Sequence, residues 1–157
     1  MKKFKFTLLA IFTVLTFSCS SDDDNTVVPD SDETFIRFKV NGVQSNMIEP
    51  STITSMAASI FGSEDVGENI RTMILRTPST ASAGTHNLVD DASDLTVYGA
   101  SYSFGDVNID ANSGSMIITN IGEEYMTGTF SFTKVVEGVT YNFTEGSFRV
   151  FKPVPTN

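Results

Sequence analysis

The chain contains one cysteine and one histidine, so sulfur chemistry and imidazole chemistry each depend on a single residue. Cys19 follows a lysine-rich start and an apolar run over residues 6–17. A run of this length is typical of a secretory signal peptide and is too short to span a membrane. A thiol placed directly after the cleavage site of such a leader can accept a lipid. We therefore expect residues 1–18 to be removed and Cys19 to be lipidated.

The residues before the cysteine resemble the lipobox of bacterial lipoproteins, in which the cysteine becomes the first residue of the mature protein. Leu15 stands four positions before Cys19 where three is usual, and Phe17 is bulkier than the common small residue. Ordinary secretory cleavage is the alternative, and it would leave Cys19 as a free thiol. We expect lipidation, because a single cysteine at this position is otherwise unexplained. The resemblance implies a diacylglycerol and an N-acyl chain such as palmitate, and several chains together hold a protein at a membrane stably.

Residues 20–24 (SSDDD) resemble the acidic stretch that directs lipoproteins of Bacteroidota to the outer face of the outer membrane. A solvated spacer is the alternative interpretation, and the periplasmic face is the alternative location. The polar composition continues to residue 33, which predicts a flexible acidic tether over residues 19–33. Residues 34–153 have the composition of one globular domain.

The charge of the mature chain limits its partners. Removal of the leader leaves seven basic and 19 acidic residues, a net charge of −12. Nucleic acid is not expected as a partner, because phosphate binding requires a basic surface. The expected partners are the membrane, through the lipid anchor, and an envelope protein or glycan. No cofactor is expected besides the covalent lipid.

The body of the chain alternates apolar and polar residues with the two-residue period of β-strands. In residues 36–40 the even positions are apolar, and Asn41-Gly42 then favours a tight hairpin turn. The pattern predicts an all-β fold, a single antiparallel β-sandwich or barrel-like domain of about eight or nine strands. Residues 56–60 could form a helical turn instead. The other predicted strands cover residues 52–60, 70–76, 85–89, 95–104, 115–121 and 125–134, with loops at 62–68, 90–94, 106–114 and 122–124.

The last segment changes register. Apolar residues occupy odd positions in residues 139–143 and even positions in residues 148–150. A strict period of two cannot place both sets on one face, so we expect a β-bulge at Glu145-Gly146. Gly146 would supply the unusual backbone angles. A turn between two short strands is the alternative.

Four of these segments, taken in order, resemble a family of uncharacterised Bacteroidota lipoproteins: residues 84–88 (GTHNL), 114–119 (GSMIIT), 128–132 (GTFSF) and 143–148 (FTEGSF). Members of that family have an acidic tether after the lipidated cysteine and an early turn like Asn-Gly. His86 stands where an aromatic residue is usual. The resemblance covers most of the chain from residue 35 onward. It implies the fold class and the compartment, but no activity and no catalytic residues.

The segment over residues 106–114 is similar to the start of a calcium-binding loop. Ala111 and Ile117 occupy the positions at which a complete EF-hand loop has Gly and a bidentate Glu. We therefore predict a hairpin turn over residues 110–114, with metal binding as the alternative. Oxygen-bearing side chains alternate in this segment at Asp106, Asn108, Asp110 and Asn112.

The remaining reactive side chains do not form a recognisable catalytic set. Any Ser-His-Asp system would have to use His86, and a single strand histidine is more often structural. The pairs Asp90-Asp91 and Glu123-Glu124 lie in predicted loops, where adjacent side chains point apart, whereas a glycosidase needs two acids facing across a cleft. The chain has no Trp for a sugar platform. We expect the tyrosines to pack in the core and at its rim, at Tyr98, Tyr102, Tyr125 and Tyr141.

These observations favour a membrane-anchored, surface-exposed lipoprotein of unknown molecular function. The first expectation is a non-enzymatic binding or interaction domain. The alternatives are a hydrolase of glycans or esters with acidic residues from separate loops, and a structural subunit of a surface complex.

Overall fold

Two stacked antiparallel sheets form the fold of the chain, in a computed structural model that describes residues 33–54, 57–91 and 93–153. Cys19, the predicted leader and the tether up to residue 32 lie outside the described residues. No helix among the described residues is long and apolar enough to cross a membrane. The strands are β1 (Phe35–Val40), β2 (Val43–Ile48), β3 (Ser51–Thr54), β4 (Ala57–Val66), β5 (Asn69–Pro78), β6 (Gly84–Asn87), β7 (Gly99–Phe104), β8 (Val107–Asp110), β9 (Ser115–Ile121), β10 (Tyr125–Val136) and β11 (Val139–Phe151).

The strand order makes the fold a sandwich. Sheet A has the order β2-β1-β11-β10-β9-β6, and sheet B has the order β3-β4-β5-β7-β8. Each sheet keeps two edge strands, so neither closes into a barrel. The predicted all-β class and antiparallel sandwich are confirmed. The predicted strand number is wrong, because the described residues contain eleven strands.

The additional strands come from segments whose polarity suggested loops. Residues 52–60 do not form one strand, since β3 ends at Thr54 and pairs with β4 as a hairpin. The helical turn considered for residues 56–60 is also wrong, because residues 57–60 belong to β4, while residue 56 lies outside the described residues. β4 then continues through the predicted loop at 62–68 as far as Val66. The polar end of β4 pairs with β5 while its side chains reach the surface. Its composition is therefore like that of a loop, although its backbone is that of a strand.

The core lies between the two sheets, and the predicted alternation places the apolar side chains in it. Phe38 is fully buried at its centre, with ring centroids of Tyr102, Phe130 and Phe143 at 6.1, 6.1 and 6.2 Å. Edge-to-face and tilted aromatic contacts of this kind add to the hydrophobic stabilisation of a core. The main buried residues are Ile36, Phe38, Met47, Ile60, Met73, Leu75, Ala100, Tyr102, Ile109, Met116, Ile118, Met126, Phe130, Phe132, Phe143, Phe148 and Val150.

The predicted β-bulge in β11 is confirmed, with one correction. Phe130 pairs with Gly146 and Phe132 pairs with Phe143, so β11 has one residue more than β10 at this point. Glu145 has the left-handed backbone conformation, with φ of 53°, and Gly146 does not. Gly146 is required for space instead, because a Cβ there would overlap the carbonyl oxygen of Phe130.

Four hairpin turns lie at one end of the sandwich, and both ends of the described chain lie at the other. Asn41, at the tip of the first hairpin, donates its backbone N–H to Asn142 near the tip of the last one, at 2.9 Å. In sheet B, the cross-strand pair Arg71–Phe104 likewise brings the tip of the β4–β5 hairpin close to the tip of the β7–β8 hairpin. We call this the hairpin end and the opposite one the terminal end. The four tips are at residues 41–42, 67–68, 105–106 and 137–138.

Glu64 connects the two sheets on one side of the sandwich. Its carboxylate accepts hydrogen bonds from the Ser45 hydroxyl at 2.6 Å and the Asn46 backbone N–H at 2.8 Å, both in β2. It also pairs with the buried Arg71 at 2.6 Å. Burial raises the pKa of Glu64, but the hydrogen bonds and the arginine charge outweigh it, so the pKa lies below its ordinary value. By accepting the hydrogen bond from the Asn46 backbone N–H, the carboxylate also satisfies a donor on the exposed edge strand β2.

A neighbouring tyrosine in the same region has a net pKa shift in the opposite direction, because burial dominates there. Desolvation raises the pKa of Tyr102, although the charge of Arg71 and a hydrogen bond from it act against the rise. Tyr102 is therefore a neutral part of the core.

Candidate functional site

The single histidine has a packing role. His86 lies in β6, and its ring stacks on Tyr98 with centroids 3.8 Å apart. Its Nε2 is 2.8 Å from the carbonyl oxygen of Ser82, which assigns the donated proton to Nε2. The backbone N–H of Ser82 in turn donates to the Tyr98 hydroxyl at 3.2 Å. The ring thus holds the loop before β6 against the core.

The four candidate calcium ligands are divided among three elements. Asp106 is in the turn between β7 and β8, Asn108 and Asp110 are in β8, and Asn112 is in the segment that follows. Asp110 accepts a hydrogen bond from the Ser101 hydroxyl at 2.5 Å. Across the described part of the chain, no group of three or more His, Cys, Asp or Glu residues could hold a metal ion.

The hairpin turn predicted over residues 110–114 is wrong. β8 ends at Asp110 in sheet B and β9 begins at Ser115 in sheet A, so the segment crosses between the sheets. Turn-forming residues suit such a crossing as well as a hairpin, and they do not encode which sheet comes next.

The acidic residues of the β6–β7 loop shape that loop. One oxygen of Asp91 accepts hydrogen bonds from the backbone N–H groups of Ser93 and Asp94 and from the Ser93 hydroxyl. Those bonds, the Ser93 hydroxyl first, hold the pKa of Asp91 below its ordinary value. Asp90 lies 3.7 Å from Lys134. Asp91 therefore stabilises the turn, and both acids lie in the loop that the sequence predicted.

The outer face of sheet A carries a continuous row of side chains across five strands. Consecutive members are direct cross-strand partners, so they lie side by side on one face. With strands about 4.8 Å apart, the row is about 19 Å long. We call it the cross-strand row; its members are Asn120 in β9, Thr127 in β10, Arg149 in β11, Phe35 in β1 and Ile48 in β2.

An aromatic group flanks the centre of this row at the terminal end of the sheet. Tyr125 and its cross-strand partner Phe151 stack with centroids 5.3 Å apart, and Phe151 is 51% exposed. The guanidinium of Arg149 lies 4.1 Å from the centroid of the Tyr125 ring. Such a stack fixes the arginine while its N–H groups stay available at the edge of the planar group. We call these three residues the aromatic–arginine stack.

Two shallow grooves adjoin the aromatic–arginine stack. One has a volume of about 540 Å³ and brings together the turn before β10 and the centre of the row. The other, of about 380 Å³, lies between Phe151 and the β2–β3 connection. The side chains lining the larger groove are Asn120, Glu123, Glu124, Tyr125, Thr127 and Arg149.

The charges on this face are close to balance. Arg37 is paired with Glu33 at 3.0 Å, and Lys39 is paired with Glu145 at 2.8 Å. Within the described ranges, Arg149 has no carboxylate within 4.0 Å, and neither Glu123 nor Glu124 has a basic partner within that distance. The larger groove therefore combines guanidinium and amide donors with carboxylate and hydroxyl acceptors.

The sequence identified parts of this surface but not their combination. The alternation over residues 125–134 correctly placed the hydroxyl side chains of β10 outside and Phe130 and Phe132 inside. Tyr98 and Tyr102 are buried as expected, whereas Tyr125 faces outward beside Arg149. The only sequence signal was the odd-numbered position of Tyr125 among the hydroxyl residues.

Comparison with known proteins gives a family. A domain of unknown function, DUF6252, matches residues 50–152. The chain belongs to the DUF6252 family. No curated protein and no solved structure matches it. The match confirms the expectation of a family without an assigned activity, and it includes Asn120, Thr127 and Arg149 of the cross-strand row, while β1 and β2 precede it.

Proposed function

We propose that this DUF6252 protein is a lipoprotein of the bacterial outer membrane whose sandwich is a non-enzymatic binding domain. The observation that carries the binding role is the cross-strand row with its aromatic–arginine stack. Aromatic residues and arginine are enriched in binding surfaces because they provide large contact area and several hydrogen bonds at low entropic cost. The row exposes both kinds of residue on a rigid sheet.

The position of Cys19 supports the lipid anchor. It follows a basic and apolar leader and precedes the acidic SSDDD stretch, as in lipoproteins of Bacteroidota that reach the cell surface. A flexible tether over residues 20–33 would reach about 20 Å. It joins β1 at the terminal end, so the hairpin end is the part of the domain farthest from the attachment point. The periplasmic face of the same membrane is the alternative location.

Two features support binding without catalysis. The His86 ring is engaged by Tyr98 and by the Ser82 carbonyl. Glu64 and Asp91 are also engaged in structural contacts, Glu64 with β2 and Arg71 and Asp91 within its own loop. A hydrolase is the second candidate, since Glu123 and Glu124 both line the larger groove. Polysaccharide turnover that is lost in both Glu123→Gln and Glu124→Gln would establish the hydrolase instead.

Metabolic labelling with a palmitate analogue tests the anchor. We expect wild-type protein to incorporate the label and to fractionate with the outer membrane, because a cysteine at the cleavage site is the acceptor. Cys19→Ala should lose the label and appear in the soluble fraction. Ser18→Ala is the matched control, since it changes the adjacent residue and keeps the thiol. Equal labelling of wild type and Cys19→Ala would refute lipid attachment at this residue.

A further inference from the structure

The cross-strand row also indicates what the domain binds. We infer that it binds a neutral polysaccharide, which lies across the strands from Asn120 toward Ile48. This inference rests on the proposed binding function and names its ligand class. It follows from the chemistry, charge and shape of one surface on sheet A.

The donor and acceptor set fits sugar hydroxyl groups. A hydroxyl both donates and accepts a hydrogen bond, so a ring with neighbouring hydroxyls matches a surface that offers both functions. Arg149 and Asn120 supply planar donors, and Glu123 and Glu124 supply acceptors in the same groove. The Thr127 hydroxyl lies 3.0 Å from the Thr119 hydroxyl and keeps acceptor capacity whichever of the two donates.

The charge balance favours a neutral polymer over an anionic one. Arg149 is the only basic residue lining the larger groove among the described residues, and two carboxylates line it as well. The mature chain also carries a net charge of −12, which would repel a polyanion. A neutral chain avoids this repulsion and can use the carboxylates as acceptors.

The apolar parts of the surface fit the C–H faces of sugar rings. Phe151 is 51% exposed and Ile48 is 43% exposed, on the same outer face as the polar members of the row. The Tyr125 ring contacts both Phe151 and Arg149, so both side chains are oriented before a ligand binds. Preorganised side chains lose less entropy on binding.

A protein partner is less consistent with this surface. Protein interfaces are depleted of Glu, Asp and Ser and are most apolar at their centre. Here Glu123 and Glu124 line the larger groove beside Arg149. Hydroxyl side chains of the next row also lie next to Arg149, at the direct cross-strand partners Ser147 and Thr129. The grooves are also shallow and open at the sheet surface, so an extended polymer can lie along the row.

The test is affinity electrophoresis of the full mature protein in detergent, in gels that contain laminarin, xylan, galactomannan or alginate. We expect retardation by at least one of the three neutral polysaccharides, with little change between low and high salt. Arg149→Ala and Phe151→Ala should each weaken that binding by about tenfold or more. Lys39→Ala is the matched control on the same face, because it removes a cation outside the row and should leave binding unchanged.

The outcomes separate the inference from the function on which it rests. The unfolding midpoints of Arg149→Ala and Phe151→Ala distinguish a loss of binding from a loss of folding. We expect both variants to fold, because both side chains lie on the surface. Salt-sensitive binding to alginate alone, or binding that survives both substitutions, would overturn the glycan inference. If no polysaccharide binds and crosslinking on intact cells through this face captures one recurrent protein, the inference fails and the binding function stands. If Cys19 is also unlabelled and no partner is found, the proposed function fails too.

Discussion

At the scale of single residues, Glu64 shows how one carboxylate can stabilise the contact between two sheets. It accepts hydrogen bonds from two residues of β2 in sheet A and pairs with Arg71 of β5 in sheet B. The Arg71 side chain is only 8% exposed, so its charge depends on this partner. Removing one member of such a pair leaves an uncompensated charge away from water.

We therefore predict that Glu64→Ala lowers the free energy of unfolding by about 2 kcal/mol. Urea unfolding followed by circular dichroism measures it. Asp65→Ala is the matched control, since Asp65 is the exposed neighbour on the same strand and should change stability little. An equal effect of the two substitutions would contradict the bridging role.

The same residue gives a pH dependence. The folded pKa of Glu64 lies below its unfolded value of about 4.3, so its stabilising contribution is present above that pH. The contribution is lost as the pH falls through the folded pKa. We predict that the stability difference between wild type and Glu64→Gln shrinks below about pH 4. A difference that stays constant from neutral to acidic pH would show that the charge of Glu64 is not responsible.

At the scale of elements, the bulge in β11 places different requirements on two adjacent residues. Glu145 must adopt an unusual backbone conformation, and Gly146 must have no side chain. Glu145 has φ of 53°, a conformation that glycine adopts at less cost. Gly146 has an ordinary backbone conformation and is packed under Phe130, where a Cβ would overlap a carbonyl oxygen and the ring.

We predict opposite tolerances at these two adjacent positions. Gly146→Ala should destabilise the domain by about 2 kcal/mol or more, because the new methyl group has no space. Glu145→Gly should stay within about 1 kcal/mol of wild type, because relief of the backbone strain offsets the exposed ion pair with Lys39 and the added chain entropy. Thermal and urea unfolding of both variants measure the difference. A larger loss in Glu145→Gly would disprove this assignment.

At the scale of the whole molecule, the separation of the hairpin end from the terminal end gives the domain a direction. β1 begins and β11 ends at the same end of sheet A, and the tip at Glu137-Gly138 lies at the other. A lipid anchor joined to β1 would therefore leave the four hairpin tips pointing away from the attachment point.

We predict that a short epitope inserted between Glu137 and Gly138 is labelled by antibody on intact cells. The insertion should be tolerated because an exposed hairpin tip makes few contacts. A periplasmic protein with the same epitope is the control and should be labelled only after permeabilisation. If the inserted epitope also requires permeabilisation, the protein lies on the periplasmic face.

Much of the fold follows from the sequence, because local patterns decide it. Alternation in β1 and β10 determined which side chains face the core, and Asn41-Gly42 determined the first turn. The change from odd to even apolar positions in β11 determined that a bulge exists. By contrast, the polar end of β4 resembled a loop, since pairing with β5, and not its own composition, makes it a strand.

The sequence by itself determined the all-β class and the inward and outward faces of the strands, and it provides the reason to expect a lipid on Cys19. Only the tertiary structure decided that Asn120, Thr127, Arg149 and Phe35 are neighbours, because three cross-strand registers bring them together from distant parts of the chain. Alternation determines which face a residue is on, but not which residue of the next strand lies beside it. The candidate binding surface depends on that pairing between residues of adjacent strands.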